Sequence, residues 1–150
     1  MIYWDTSCVL KLYTAESDSA AWQETALAVG EELAASALLE AELAFALEQK
    51  ESRGELKPGG AQMILRIFRS DCRDGRFILY PVGSDVMKTA ADFAMRCYRA
   101  REPIAIRTLD GLHLATARLL KCRALATADR RMRAAAAFLN LPLISVSDGI

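Results

Sequence analysis

The sequence is short of the residues that build several common kinds of site. Its four cysteines, Cys8, Cys72, Cys97 and Cys122, are scattered with no C-x-x-C pair, and His113 is the only histidine available to join them. A structural zinc centre therefore lacks its ligand pattern. The thiols are expected to be reduced and mostly buried. None of the eight glycines falls into G-x-G-x-x-G or a G-K-S/T loop, which disfavours the nucleotide-binding folds built on those turns. No apolar run approaches the ~20 residues that cross a bilayer, and the N-terminus has no basic segment leading into an apolar stretch. The expectation is a cytoplasmic protein with no membrane partner.

Low-complexity tracts and internal repeats are also missing, so what remains is an ordinary folded composition: 150 residues, 53% hydrophobic and 25% charged. That length suits one domain over 1–150, large enough to bury roughly two-thirds of the surface its unfolded chain exposes. The net charge is zero, but the charges are divided by position. Residues 1–57 carry eleven acids against four bases, a net of −7, and the remainder carries +7. Much of the positive charge is arginine at helical spacing: Arg66, Arg69, Arg73 and Arg76, then Arg96, Arg99, Arg101 and Arg107, then Arg130, Arg131 and Arg133. Such stripes are either solvated helix faces or a rim that tracks phosphates, and sequence alone does not choose.

Short apolar segments at Ile2 to Trp4, Leu33 to Ala35, Phe77 to Tyr80, Ala124 to Ala126 and Leu143 to Val146 predict strands. Longer stretches predict helices over Ser19 to Val29, Ala37 to Ser52, Gly60 to Asp74, Asp85 to Arg101, Leu109 to Lys121 and Arg130 to Leu139. Breakers at Lys57-Pro58-Gly59-Gly60, Pro81-Val82-Gly83-Ser84 and Pro103 punctuate them. Strands alternating with helices imply an α/β sandwich around a mainly parallel central sheet.

Four acids stand out against this framework. Asp5 follows the apolar trio Ile2-Tyr3-Trp4, at the carboxyl end of the first strand, where open α/β sheets place their ligands. The competing reading is that Asp5 or Ser7 caps the helix that follows. Glu42 has Leu38, Leu39, Phe45 and Ala46 one turn away, so it is expected in an apolar setting where an unpaired carboxylate is costly. Glu40 is nearly as odd, and periodicity does not choose between them. Asp110 lies in Arg107-Thr108-Leu109-Asp110-Gly111, where Thr108 is a candidate cap and the acid would gain from the helix dipole. Asp129 follows the strand Ala124-Leu125-Ala126 and precedes Arg130, so it too suits a cap.

Hard cations such as Mg²⁺ and Mn²⁺ prefer carboxylate oxygen, and an activated water then attacks a phosphodiester without any protein nucleophile. Crowded carboxylates also repel one another, so neutralising Asp110 is expected to relieve strain in the metal-free protein.

The segments Tyr3 to Tyr13, Ser36 to Leu43, Asp110 to Ala117 and Leu125 to Asp129 together resemble the PIN-domain family, in particular the VapC-type toxins of toxin–antitoxin systems. The resemblance runs from Asp5 to Asp129 with the motifs in the family's order. It implies an Mg²⁺-dependent endoribonuclease, with Mn²⁺ as substitute, that cuts RNA, forms a homodimer and is blocked by a cognate antitoxin protein. The family's acidic positions fall on Asp5, Glu42, Asp110 and Asp129, which takes Glu42 over Glu40 by resemblance. Ser7 and Thr127 fall on small hydroxyl positions that orient carboxylates or waters behind the ligands. The family uses no histidine base at His113, which is expected to support its neighbours.

Other readings compete. A haloacid dehalogenase-type phosphatase wants a second acid two residues after its strand-terminal aspartate, and here that residue is Ser7. A receiver domain wants an acidic pair beside Asp5. A non-catalytic RNA- or protein-binding module on the same fold remains the alternative from another class.

Overall fold

Alternation within the first strand decides how the molecule is layered. In the computed structural model, which describes residues 1–144 and 146, β1 (Ile2–Trp4) is buried on both faces. Tyr3 joins one apolar cluster, while Ile2 and Trp4 join the other. The same period of two recurs in β4 (Ala124–Ala126), where Leu125 lies on the Tyr3 side and Ala126 on the Trp4 side. A strand buried on both faces needs helices above and below it.

Between these strands lie α1 (Thr6–Tyr13), α2 (Ser19–Val29), β2 (Leu33–Ser36), α3 (Leu38–Ser52), α4 (Gly60–Arg73), β3 (Phe77–Tyr80), α5 (Ser84–Tyr98) and α6 (Thr108–Leu119); α7 (Arg130–Phe138) follows β4. The sheet order is β3-β2-β1-β4, with every pairing parallel. Helices α1 to α4 supply Val9, Trp22, Leu39, Leu43, Leu47 and Phe68 to the core on one face. Helices α5 to α7 supply Phe93, Leu114, Met132 and Ala136 to the core on the other. Leu39, Leu43 and Leu47 recur every fourth residue along α3, and burying each leucine contributes about 1.5–3 kcal/mol.

The α/β expectation holds, and the sheet among the described residues is parallel throughout. The helix expected after Asp5 is α1, and Asp5, not Ser7, is its N-cap. Helix α5 stops at Tyr98 instead of Arg101, where the chain turns back and the Ile104 N–H donates to the Cys97 carbonyl at 3.0 Å in place of a further helical bond. The strand expected over Leu143 to Val146 is represented by one parallel bridge between Leu125 and Leu143, and Ser145 lies outside the described residues. All four cysteines are free thiols, Cys8 and Cys97 buried, Cys72 and Cys122 half-buried.

Because β2 lies on one side of β1 and β4 on the other, the winding reverses between β1 and β4. The crevice beyond the carboxyl ends of those two strands is where such sheets hold ligands. The chain leaves β1 at Asp5 and β4 at Thr127, side by side, with the Asp5 N–H donating to the Ala126 carbonyl at 3.1 Å.

Candidate active site

Asp5 is buried, and each of its carboxylate oxygens is held. Oδ1 accepts from the Ser7 hydroxyl at 2.7 Å and from the Cys8 N–H at 3.2 Å, and Oδ2 accepts from the Thr127 hydroxyl at 2.7 Å. Asp5 is thus both the N-cap of α1 and part of a lateral link to β4. Burial pushes its carboxyl above the usual range, against the opposing influence of the His113 charge and the three hydrogen bonds. Ser7 accepts the Ala128 N–H at 2.9 Å, and Thr127 accepts the Asp129 N–H at 3.1 Å, so the two hydroxyls stitch both strand ends into one framework.

Asp129 caps α7 through Oδ1, which accepts the N–H groups of Arg131 at 2.8 Å and Met132 at 3.2 Å. Its Oδ2 accepts from Arg107 Nη2 at 3.0 Å. The same guanidinium grips Asp110, from Nε to Oδ2 at 3.1 Å and from Nη2 to Oδ1 at 3.0 Å, while the Arg107 backbone N–H adds a 2.9 Å bond to Oδ2. The N-cap of α6 is therefore Arg107, and Thr108, the cap expected from sequence, is the first helical residue. Asp110 does close over the helix start, but its charge is met by arginine and not left to repel its neighbours.

Glu42 belongs to a third group. Its Oε2 accepts from the Thr6 hydroxyl at 2.7 Å and lies 2.7 Å from His113 Nε2. The other ring nitrogen, Nδ1, lies 2.7 Å from the hydroxyl of the fully buried Tyr3. Burial works to raise the Glu42 carboxyl, but the bond to His113, that ring's charge and the Thr6 hydroxyl together hold it below the usual range, against the push of Asp110. The apolar setting expected for Glu42 is corrected: Phe45 is 81% exposed, and the carboxylate faces polar partners. Glu40 instead points to solvent and pairs with Arg69 at 2.7 Å.

The structure thus brings the four expected acids into three linked groups. Thr127 connects Asp5 to Asp129, Arg107 connects Asp129 to Asp110, and the hydrogen bonds to Asp110, with the added field of Asp110, Asp129 and Glu42, hold the guanidinium still more firmly protonated. Among the described residues no three His, Cys, Asp or Glu side chains close on one point as metal ligands would. The donors are nevertheless hard carboxylate and hydroxyl oxygens, and Mg²⁺ needs only one or two carboxylates beside its waters. A cation, the guanidinium, already bridges two of them. The donor set fits a divalent ion.

Three participants escaped the sequence reading. Arg107 appeared there only as one arginine among many, although its spacing of three from Asp110 at a helix start is an ion-pair signal. Tyr3 and Thr6 carry no sequence signal beyond a hydroxyl beside an apolar strand. Of the expected arginine stripe, Arg69 and Arg76 are engaged by Glu40 and Asp71, while Arg66 and Arg73 are exposed.

A family model described as PIN domain matches residues 2–138. No curated protein matches the sequence. Among solved structures, VapBC2 from Rickettsia felis, bound to a DNA fragment from its promoter, is similar with a TM-score of 0.68 and 19% identity, over 96% of this chain and 98% of that one. FitAcB from Neisseria gonorrhoeae is similar with a TM-score of 0.66 and 18% identity, over 99% of this chain and 100% of that one. VapC20 from Mycobacterium tuberculosis, described as a sarcin–ricin loop cleaving toxin, has a TM-score of 0.63 and 16% identity, over 90% and 95% of the two chains.

Proposed function

The chain belongs to the PIN-domain family, and from that premise we propose that it is an Mg²⁺- or Mn²⁺-dependent endoribonuclease, the toxin of a toxin–antitoxin pair. The observation that carries this reading is the meeting of Asp5, Asp110 and Asp129 around the crevice between β1 and β4, with one guanidinium bridging two of the acids. The similar structures include a toxin described as cleaving the sarcin–ricin loop, and VapBC2 bound to a DNA fragment from its promoter. By analogy with those assemblies a cognate antitoxin protein is the proposed partner here, and the family resemblance of the sequence adds a homodimer in the cytoplasm to the proposal. No helix among the described residues is long and apolar enough to cross a membrane.

A divalent ion in this crevice would supply an acidified water and neutralise charge developing on phosphorus. The chain's own groups do the rest. Ser7, Thr127 and the Cys8 N–H fix the plane of the Asp5 carboxylate, so that it meets a cation in one orientation. His113 and Thr6 keep Glu42 ionised and aimed. Asp110 and Asp129 are anchored by backbone N–H groups at helix starts, which costs little reorganisation when charge moves nearby.

The test is cleavage of single-stranded RNA by the purified chain, with Mn²⁺ or with EDTA, together with melting in both. Cleavage should need the metal, fall below a few per cent in Asp5→Asn and Asp110→Asn, and be unaffected by Glu40→Gln, whose carboxylate lies in a surface ion pair. Cleavage that survives EDTA or Asp5→Asn would sink the reading. RNA binding without cleavage and without any Mn²⁺-induced rise in Tm would favour the non-catalytic module instead.

A further inference from the structure

Two carboxylate oxygens in the crevice have the same, single partner among the described residues. Asp110 Oδ1 and Asp129 Oδ2 each accept from Arg107 Nη2, both at 3.0 Å. The second oxygen of each acid is tied to backbone that cannot leave: Asp110 Oδ2 to the Arg107 N–H, and Asp129 Oδ1 to the N–H groups of Arg131 and Met132. Each carboxylate therefore stays in place if the guanidinium goes, with one oxygen of each still facing the point that Nη2 now fills. The Arg107 side chain is 57% exposed and holds Asp110 through both Nε and Nη2 but Asp129 through a single bond from that shared Nη2, so Asp129 is the partner it releases at least cost.

We propose that Arg107 is the resident counter-cation of this acid cluster, and that an incoming divalent ion competes with it for Asp110 Oδ1 and Asp129 Oδ2. The inference rests on the metal-dependent reading above and adds to it a cost of loading set by this chain itself. Without metal, the guanidinium screens the acids from one another. With metal, a guanidinium left in place would repel the ion and hold its ligands, so it must release at least Asp129.

Mn²⁺ alone is the probe, titrated by calorimetry into the metal-free full chain at low salt, without RNA. Arg107→Gln should bind Mn²⁺ about two- to fivefold more tightly than wild type, as loss of a partly exposed ion pair implies, and the gap should narrow at high salt. Arg107→Lys, which keeps the charge but loses the fork, should lie between the two. Arg69→Gln, which also removes one exposed arginine but pairs with Glu40 away from the crevice, should match wild type. If wild type binds Mn²⁺ and folded Arg107→Gln binds it equally or more weakly, the inference is wrong. Equal tightening by Arg69→Gln also overturns it, by reducing the effect to net charge. Absence of Mn²⁺ binding in every protein, Arg107→Gln included, instead overturns the metal-dependent reading.

Discussion

A single carboxylate, Asp5, shows how far position and environment act separately. Its place at the end of an apolar trio was legible in the sequence, but the residue that costs stability is not the one that crowding suggested. Asp110 has an arginine, whereas Asp5 is buried and hydrogen-bonded only by hydroxyl and N–H donors, with His113 acting on it through its charge without a bond. A carboxyl whose folded pKa is raised above its unfolded value binds its proton more firmly in the folded state. Stability from that group is then greatest in acid and falls as pH rises through the window between the two values. Asp5→Asn does not titrate and can still accept the Cys8 N–H and exchange bonds with the hydroxyls. In EDTA its Tm should exceed that of wild type at neutral pH, and the difference should shrink toward acid. A variant that melts below wild type at both pH values would show that the charged hydrogen bonds outweigh the burial of Asp5. Glu42 teaches the opposite lesson, since its partner His113 lies 71 residues away in sequence and no local pattern could reveal the pairing.

At the scale of elements, the helix starts do most of the positioning. Asp5, Asp129 and the Arg107–Asp110 pair each open a helix, so cap and candidate ligand are the same atoms seen twice. The two explanations that compete in the sequence are not exclusive in the structure. For Asp110 this reverses the expectation that neutralising it relieves strain. Asp110→Asn keeps an acceptor for the Arg107 N–H but loses the charge that binds the guanidinium and favours the helix dipole. It should therefore melt lower than wild type in EDTA, by about 0.5–1.5 kcal/mol, and gain less from Mn²⁺. A melting point at or above wild type would restore the crowding argument. Strand positions were readable because each is a short apolar run bounded by polar residues. The extent of helix α1 and the stop at Tyr98 were not, because an eight-residue helix shows barely two turns of pattern and a helix end depends on where the chain packs next.

Across the whole molecule, the order β3-β2-β1-β4 creates the crevice, and nothing local in the sequence states it. What the sequence did show was the division of charge, and the fold gives that division a direction. The acidic first third of the chain supplies Asp5 and Glu42, while the basic remainder supplies Arg107 and the start of α7, where Arg130 and Arg131 are exposed immediately after Asp129. Neither has an ion pair among the described residues, whereas in the stripe around α4 both Arg69 and Arg76 are already neutralised. If RNA is drawn across the crevice, its phosphates should meet Arg130 and Arg131 before they meet Arg66 and Arg73. Alanine at both Arg130 and Arg131 should weaken binding of a single-stranded RNA and flatten the plot of log K against log salt by roughly 0.7 for each lost phosphate contact. Alanine at Arg66 and Arg73 should leave that slope within error of wild type, because α4 packs on α3, away from the ends of β1 and β4. The two double variants remove the same charge, so their difference isolates location. A slope lowered only by the α4 pair would move the RNA path to that helix and leave Arg130 and Arg131 as a solvated helix start.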